Sequence, residues 1–220
     1  MIKDVMVPLD GTAADEARLA AANHIAEEFN GQITGLFLNV LPLTIAPEDG
    51  IGAVRAAELL QKAREAADRI EVRLIERLAR LQRPMQLRRF DILQDAVGDV
   101  AAREARTADA FVGLRPDGAA GEPDLVESVL FGSGRHIFLI PGRKPTKVIF
   151  DRVLVAWNGS RESALALAEA LPYLHKAKAT TVVVVGDEPP AEEQATLGKD
   201  AVEHLKHHHI KATLQQPTSL

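Results

Sequence analysis

Val5-Met6-Val7-Pro8-Leu9-Asp10-Gly11-Thr12 is an almost continuous apolar run that stops at a turn, with a helical pattern starting directly after it. An uninterrupted apolar run of this length suits a strand buried on both faces of a parallel sheet. Leu19, Ala22, Ile25, Ala26 and Phe29 then recur at helical spacing, Thr12 is expected as the N-cap, and Gly31 is expected to take the left-handed C-terminal position. The chain therefore opens with a strand, a turn, a helix and a stop.

Outward from that unit the same alternation continues. A second strand is predicted at 33–40, and a loop with Pro42, Pro47, Gly50 and Gly52 leads to a long helix. Its stripe of Leu60, Ala63, Ala67, Ile70, Leu74, Leu78 and Leu81 is read as the face that covers a sheet. Further strands are predicted at 85–93, 110–114 and 137–140, with helices over 97–107 and 125–130. Strands that alternate with helices give an α/β fold with a doubly wound parallel sheet.

Val153-Leu154-Val155-Ala156-Trp157-Asn158-Gly159-Ser160 aligns without gaps on the opening motif, and Leu165, Leu167 and Ala170 fall on Ala17, Leu19 and Ala22. This offset is domain-sized, so the sequence predicts a complete domain over 1–142, a basic Pro-containing linker over 143–150 and a partial second copy over 151–220. The second copy is expected to hold a strand at 180–185, a helix at 191–206 and a strand at 210–214. In a 3-2-1-4-5 strand order its first strand would be an unpaired edge, which either a shortened chain or a covering partner would explain.

Composition narrows the function classes. Hydrophobic residues are 46% and aromatics only 4%, so aliphatic packing dominates; the net charge of −5 gives no general attraction to nucleic acid or anionic lipid. Cysteine is absent, which removes disulfides, thiolate metal sites and a cysteine nucleophile. With no long apolar stretch at the start, the expectation is a cytoplasmic protein without a membrane partner.

The Val-Pro-Leu-Asp-Gly-Thr opening, the strand ending at Asn39-Val40 and Gly132-Ser133 before a strand ending in Pro141 resemble the universal stress protein family. Val-Ala-Trp-Asn-Gly-Ser-Arg-Glu-Ser-Ala at 155–164 resembles the second domain of its tandem members. That resemblance implies a five-stranded sheet of order 3-2-1-4-5, of the adenine nucleotide alpha hydrolase-like kind, with ligand bound at the topological switch point. It also implies ATP, with Mg²⁺, held by Pro8, Asp10, Val40, Gly113, Gly132 and Ser133, and a dimer of like subunits acting in stress response without catalysis.

The residues depart from the family's glycine spacing. Counting from Gly113, the second glycine position is Pro116, which has no N–H to donate; counting from Gly118 and Gly121, Gly132 comes one residue late. Asp117, Glu122 and Asp124 place negative charge in the loop that would face a triphosphate, where repulsion at close range costs on the order of 1 kcal/mol even in water, offset in part by Arg115 and Arg135. A nucleotide-dependent hydrolase or transferase with Asp10 as base, and a ligand-free association module, stand as alternatives. Elsewhere, His204, His207 and His208 share a helical face and are read as solvated. Ser133 and Ser160 lack a nucleophile elbow, and Trp157 is read as core or domain interface.

Overall fold

The structure, a computed structural model, describes residues 2–43, 50–116, 123–142, 150–185 and 191–215. It forms two compact units, Met1–Val148 and Ile149–Leu220. The first contains β1 (Asp4–Leu9), α1 (Asp15–Phe29), β2 (Gln32–Val40), α2 (Gly50–Ala79), β3 (Met85–Ile92), α3 (Val97–Ala105), β4 (Ala110–Leu114), α4 (Pro123–Gly132) and β5 (Ile137–Ile140). All strand pairs are parallel and the order is β3-β2-β1-β4-β5. This is the predicted doubly wound sheet.

β1 is central because its sequence can be buried on both faces. Val5, Met6 and Val7 are fully buried, with Val5 beside Ile33 on one side and Ala110 on the other. On one face Met6, Leu36 and Phe111 join Ala101, Ala105, Leu125 and Val129 in a single apolar cluster. Gly35 has a steric reason: a Cβ there would lie 2.9 Å from Leu9 Cδ1 and 3.2 Å from Leu78 Cδ1, so its absence lets α2 settle on the sheet. Ala67, Leu74 and Leu78 of the predicted stripe are buried, and each leucine contributes about 1.5–3 kcal/mol. Arg89 then fastens α2 to β3, pairing with Asp68 at 2.6 Å, Glu71 at 2.7 Å and Asp91 at 3.1 Å.

Two cap expectations are corrected. The residue in left-handed conformation after α1 is Asn30 (φ 49°), not Gly31, because asparagine tolerates this region. Gly31 instead returns its N–H to the Ala26 carbonyl at 2.8 Å and presses on the strand, where a Cβ would meet the Lys3 carbonyl oxygen at 3.0 Å. Thr12 does not cap α1, which begins only at Asp15; its hydroxyl accepts from the Ala14 N–H within the preceding turn at 3.3 Å.

The second unit contains β6 (Arg152–Trp157), α5 (Arg161–Leu174), β7 (Ala179–Val184), α6 (Ala191–His207) and β8 (Ala212–Gln215), with parallel strands in the order β6-β7-β8. Ser160 does cap α5, accepting from the Ser163 N–H at 3.1 Å. Trp157 packs against the core of this unit. His204 and His207 are exposed, and the His204 ring meets that of His208 edge-on at 4.8 Å. Within this sheet β6 is an outer strand, and Leu154 on it is 63% exposed although its counterpart Met6 is fully buried. Among the described residues, no helix is long and apolar enough to cross a membrane.

α3 and α4 touch through glycine. A Cβ on Gly98 would overlap the Ser128 side chain, and one on Gly132 would lie 2.9 Å from Ala102 Cβ. Gly98→Ala should therefore lower stability by about 1–3 kcal/mol through overpacking, read as a lower urea midpoint. Gly134→Ala, with φ 71° and nothing within 4 Å, should cost about 1–2 kcal/mol from backbone conformation alone.

Candidate functional site

The turn that follows β1 builds the site. Gly11 has φ 82° and approaches α2 so closely that a Cβ would lie 2.7 Å from Ile70 Cγ2, so the Asp10-Gly11 bend requires glycine. Asp10 then accepts the Thr12 N–H at 2.8 Å, closing an Asx turn. The next carboxylate, Asp15, is fully buried and accepts the N–H of Asp10 at 3.1 Å and that of Gly11 at 2.9 Å.

Two arginines complete this arrangement. Arg18, one helical turn after Asp15, is only 4% exposed and its Nη2 lies 2.7 Å from Asp10 Oδ2 and 3.0 Å from Asp15 Oδ1. Arg77 reaches over from α2, with its Nη1 3.2 Å from Asp15 Oδ2 and 3.1 Å from the Thr12 carbonyl oxygen. One buried carboxylate thus ties a strand end, a turn and two helices together. Burial opposes ionisation of Asp10, but hydrogen bonds from Thr12 and Arg18 overcome it and hold this carboxyl below its ordinary value. Burial pushes Asp15 up; the neighbouring Asp10 charge adds to this, while the backbone N–H groups and Arg18 oppose it.

Beside this network lies a cavity of about 230 Å³. β1 supplies Pro8 and Leu9, and the turn after it Asp10; β2 supplies Leu36, Leu38 and Val40; α1 supplies Arg18. The far wall is Gln94 from a single 3-10 turn, Val97 from α3, and Asp124 and Leu125 from α4. This places it by the carboxyl ends of β1 and β2, next to the point where the chain's strand order reverses, as ligand sites of open parallel sheets require.

Of the residues implied by the sequence resemblance, Pro8, Asp10 and Val40 meet in this cavity. Gly113, Gly132 and Ser133 are not in its wall. Gly113 is buried in β4, where a Cβ would stand 3.4 Å from Val126 Cγ2. Gly132 is the last residue of α4, and its carbonyl accepts from Arg106 Nε at 3.1 Å and Nη2 at 3.0 Å. Ser133 follows it, returning its N–H to Val129 and accepting the Arg135 N–H on its hydroxyl. Gly118 and Gly121 lie outside the described residues. Sequence reasoning missed Arg18, Gln94, Val97 and Leu125 as wall residues, whereas Asp124, expected as a negative charge facing the ligand, does stand in the wall, in the first turn of α4. A signal for Arg18 existed, since it stands three residues after Asp15 and four before the buried Ala22, on the inward side of α1.

No family model matches the sequence, and no curated protein matches it. The fold does have solved counterparts. A universal stress protein from Archaeoglobus fulgidus DSM 4304 superposes with a TM-score of 0.68 at 16% identity, over 99% of this chain and 77% of that one. A functionally unknown protein from Pseudomonas aeruginosa PAO1 gives a TM-score of 0.50 at 15% identity, over 99% of this chain and 74% of that one. The architecture of this chain is that of universal stress proteins.

Replacing Arg18 with methionine should cost about 3–5 kcal/mol at pH 7, because two carboxylates lose their shared guanidinium in a buried setting. The sign with pH follows from the two shifts. Asp10, lowered in the fold, contributes stability that is present above its usual value near 3.8 and is lost as pH falls through the folded value. Asp15, raised, contributes stability that is present below 3.8 and is lost as pH rises through its folded value. The deficit of Arg18→Met relative to the parent should accordingly shrink as pH is lowered toward 4, in urea titrations run at each pH.

Proposed function

We propose that the chain is a universal stress protein that acts by binding rather than by catalysis, with its first unit holding an adenine compound in the cavity beside Asp10. The observation that carries the reading is the convergence of Pro8, Asp10 and Val40 on one cavity wall. Leu36, Leu38, Val97 and Leu125 offer apolar faces to a planar ring, and Asp10, Gln94 and Asp124 offer acceptors to its amino and hydroxyl donors. Support for a non-catalytic role comes from Asp10 itself. A carboxylate paired with Arg18 at 2.7 Å and held below its usual pKa is a poor general base.

Self-association through β5 belongs to the same proposal. β5 is the outer strand of the five-stranded sheet, Leu139 on it is 49% exposed, and Phe131 nearby in sequence at the end of α4 is 83% exposed. The second unit is read as a partial copy of the first. Its Asn158-Gly159-Ser160 turn repeats the geometry of Asp10-Gly11-Thr12, with Gly159 at φ 72° and Asn158 Oδ1 accepting the Ser160 N–H at 3.0 Å.

Equilibrium dialysis of the full chain against labelled adenosine and labelled ATP, with and without Mg²⁺, tests the binding role. Saturable binding of at least one of them, weakened at least tenfold by Asp10→Ala and without product formation, is the expected result; turnover, or no saturable binding of either, rejects it. In native mass measurements a dimer is expected, and Leu139→Lys together with Phe131→Glu should shift it to monomer.

A further inference from the structure

The geometry points to a two-histidine site for a divalent transition cation, copper(II) above all, at the C-terminal end of α6 in the second unit. It goes beyond the binding role proposed above and does not depend on it. His204 and His208 stand four residues apart, the spacing that brings two side chains onto one helix face and that helical zinc sites use for their histidine pairs. Their ring centres lie 4.8 Å from each other. Two imidazoles on one cation, each with a nitrogen about 2.0–2.1 Å from the metal and a square or tetrahedral angle between them, have ring centres roughly 5 Å apart. The pair therefore already has the separation that chelation demands.

The backbone and the neighbouring charges favour that arrangement. α6 ends at His207, but the chain keeps turning for one residue more, as His208 donates its N–H to the Leu205 carbonyl at 3.0 Å. His209, at φ 59°, then closes the end, with its N–H on the Lys206 carbonyl at 2.8 Å and that of Ile210 on the Leu205 carbonyl at 3.0 Å. Carbonyls at a helix C-terminus carry partial negative charge, which stabilises a cation placed there. Lys206 is drawn aside, its Nζ 3.2 Å from Glu203 Oε1. The same carboxylate oxygen lies 3.8 Å from His207 Nε2, so His207 faces Glu203 while His204 and His208 face each other.

Ligand type selects the metal. Imidazole nitrogen suits copper, nickel and zinc, whereas magnesium and calcium prefer oxygen, and copper(II) stands at the top of the divalent affinity order. Among the described residues no group of three metal-ligating side chains forms, so the histidines act as a pair and the other coordination positions fall to water. His204 is exposed, which leaves the cation a path of entry.

Titration of the full chain with Cu²⁺, Ni²⁺ and Zn²⁺ in a non-chelating buffer, followed by calorimetry and, for Cu²⁺, by electron paramagnetic resonance, tests the site. A saturable Cu²⁺ site with two imidazole nitrogens is expected, tighter than for Ni²⁺ or Zn²⁺ and not displaced by excess Mg²⁺. His204→Asn and His208→Asn should each weaken it at least tenfold, and His207→Asn less than threefold. Saturating Cu²⁺ should also raise the urea midpoint of the parent but not of the first two variants, because the two rings meet only on the folded helix. Absence of saturable Cu²⁺ binding, retention of it in either His204→Asn or His208→Asn, an equal loss in His207→Asn, or the same rise in midpoint in all variants overturns the proposal.

Discussion

The buried Asp15 carboxylate is the constraint on which the first unit turns. It receives two backbone N–H groups from the turn after β1, one guanidinium from its own helix and another from α2. A buried charge is costly unless every neighbour is arranged around it, and for that reason a single side chain can specify the positions of several elements. The turn cannot open without stranding the carboxylate. α2 cannot slide along the sheet without withdrawing Arg77, and α1 cannot rotate without withdrawing Arg18. The position of Asp10, and with it the rim of the cavity, follows from this arrangement.

The second unit keeps the bend and discards the charges. In the alignment of the two opening motifs, Ser163 stands where the first unit has Asp15, and Ala166 where it has Arg18. The glycine in left-handed conformation and the Asx-type hydrogen bond are present in both. Chain direction at such a turn is thus a matter of backbone and a short polar side chain, while the ionic network is a separate addition found in one copy. Serine at 163 closes its own turn locally, donating its hydroxyl to the Ser160 carbonyl at 2.9 Å.

Much of the fold was legible in the sequence because its strands are short apolar runs with abrupt ends. β4 and β5 appear at their predicted limits, and the sheet order follows the resemblance. The site was less legible. Gly132-Ser133 reads in sequence like part of a phosphate loop, yet α4 runs on through Gly132, and this glycine serves helix packing against Ala102. Nothing local distinguishes a glycine needed for a ligand from one needed for a neighbouring helix. Arg18 was hidden for a different reason: charged residues on a helix are ordinarily assigned to solvent, and its burial depends on carboxylates at positions 10 and 15 that come together only when the turn folds. Asn30 shows the same limit on a smaller scale, since asparagine and glycine side by side both suit a helix end and only packing against Lys3 decides between them.

The contact between α3 and α4 reaches further than packing. Val97 belongs to one of these helices, Asp124 and Leu125 to the other, and all three stand in the cavity wall. Because Gly98 and Gly132 hold the pair in backbone-close contact, the two helices form one jaw rather than two independent ones. The aperture of the slot is then gauged by a pair of missing methyl groups, at residues that never touch whatever enters it.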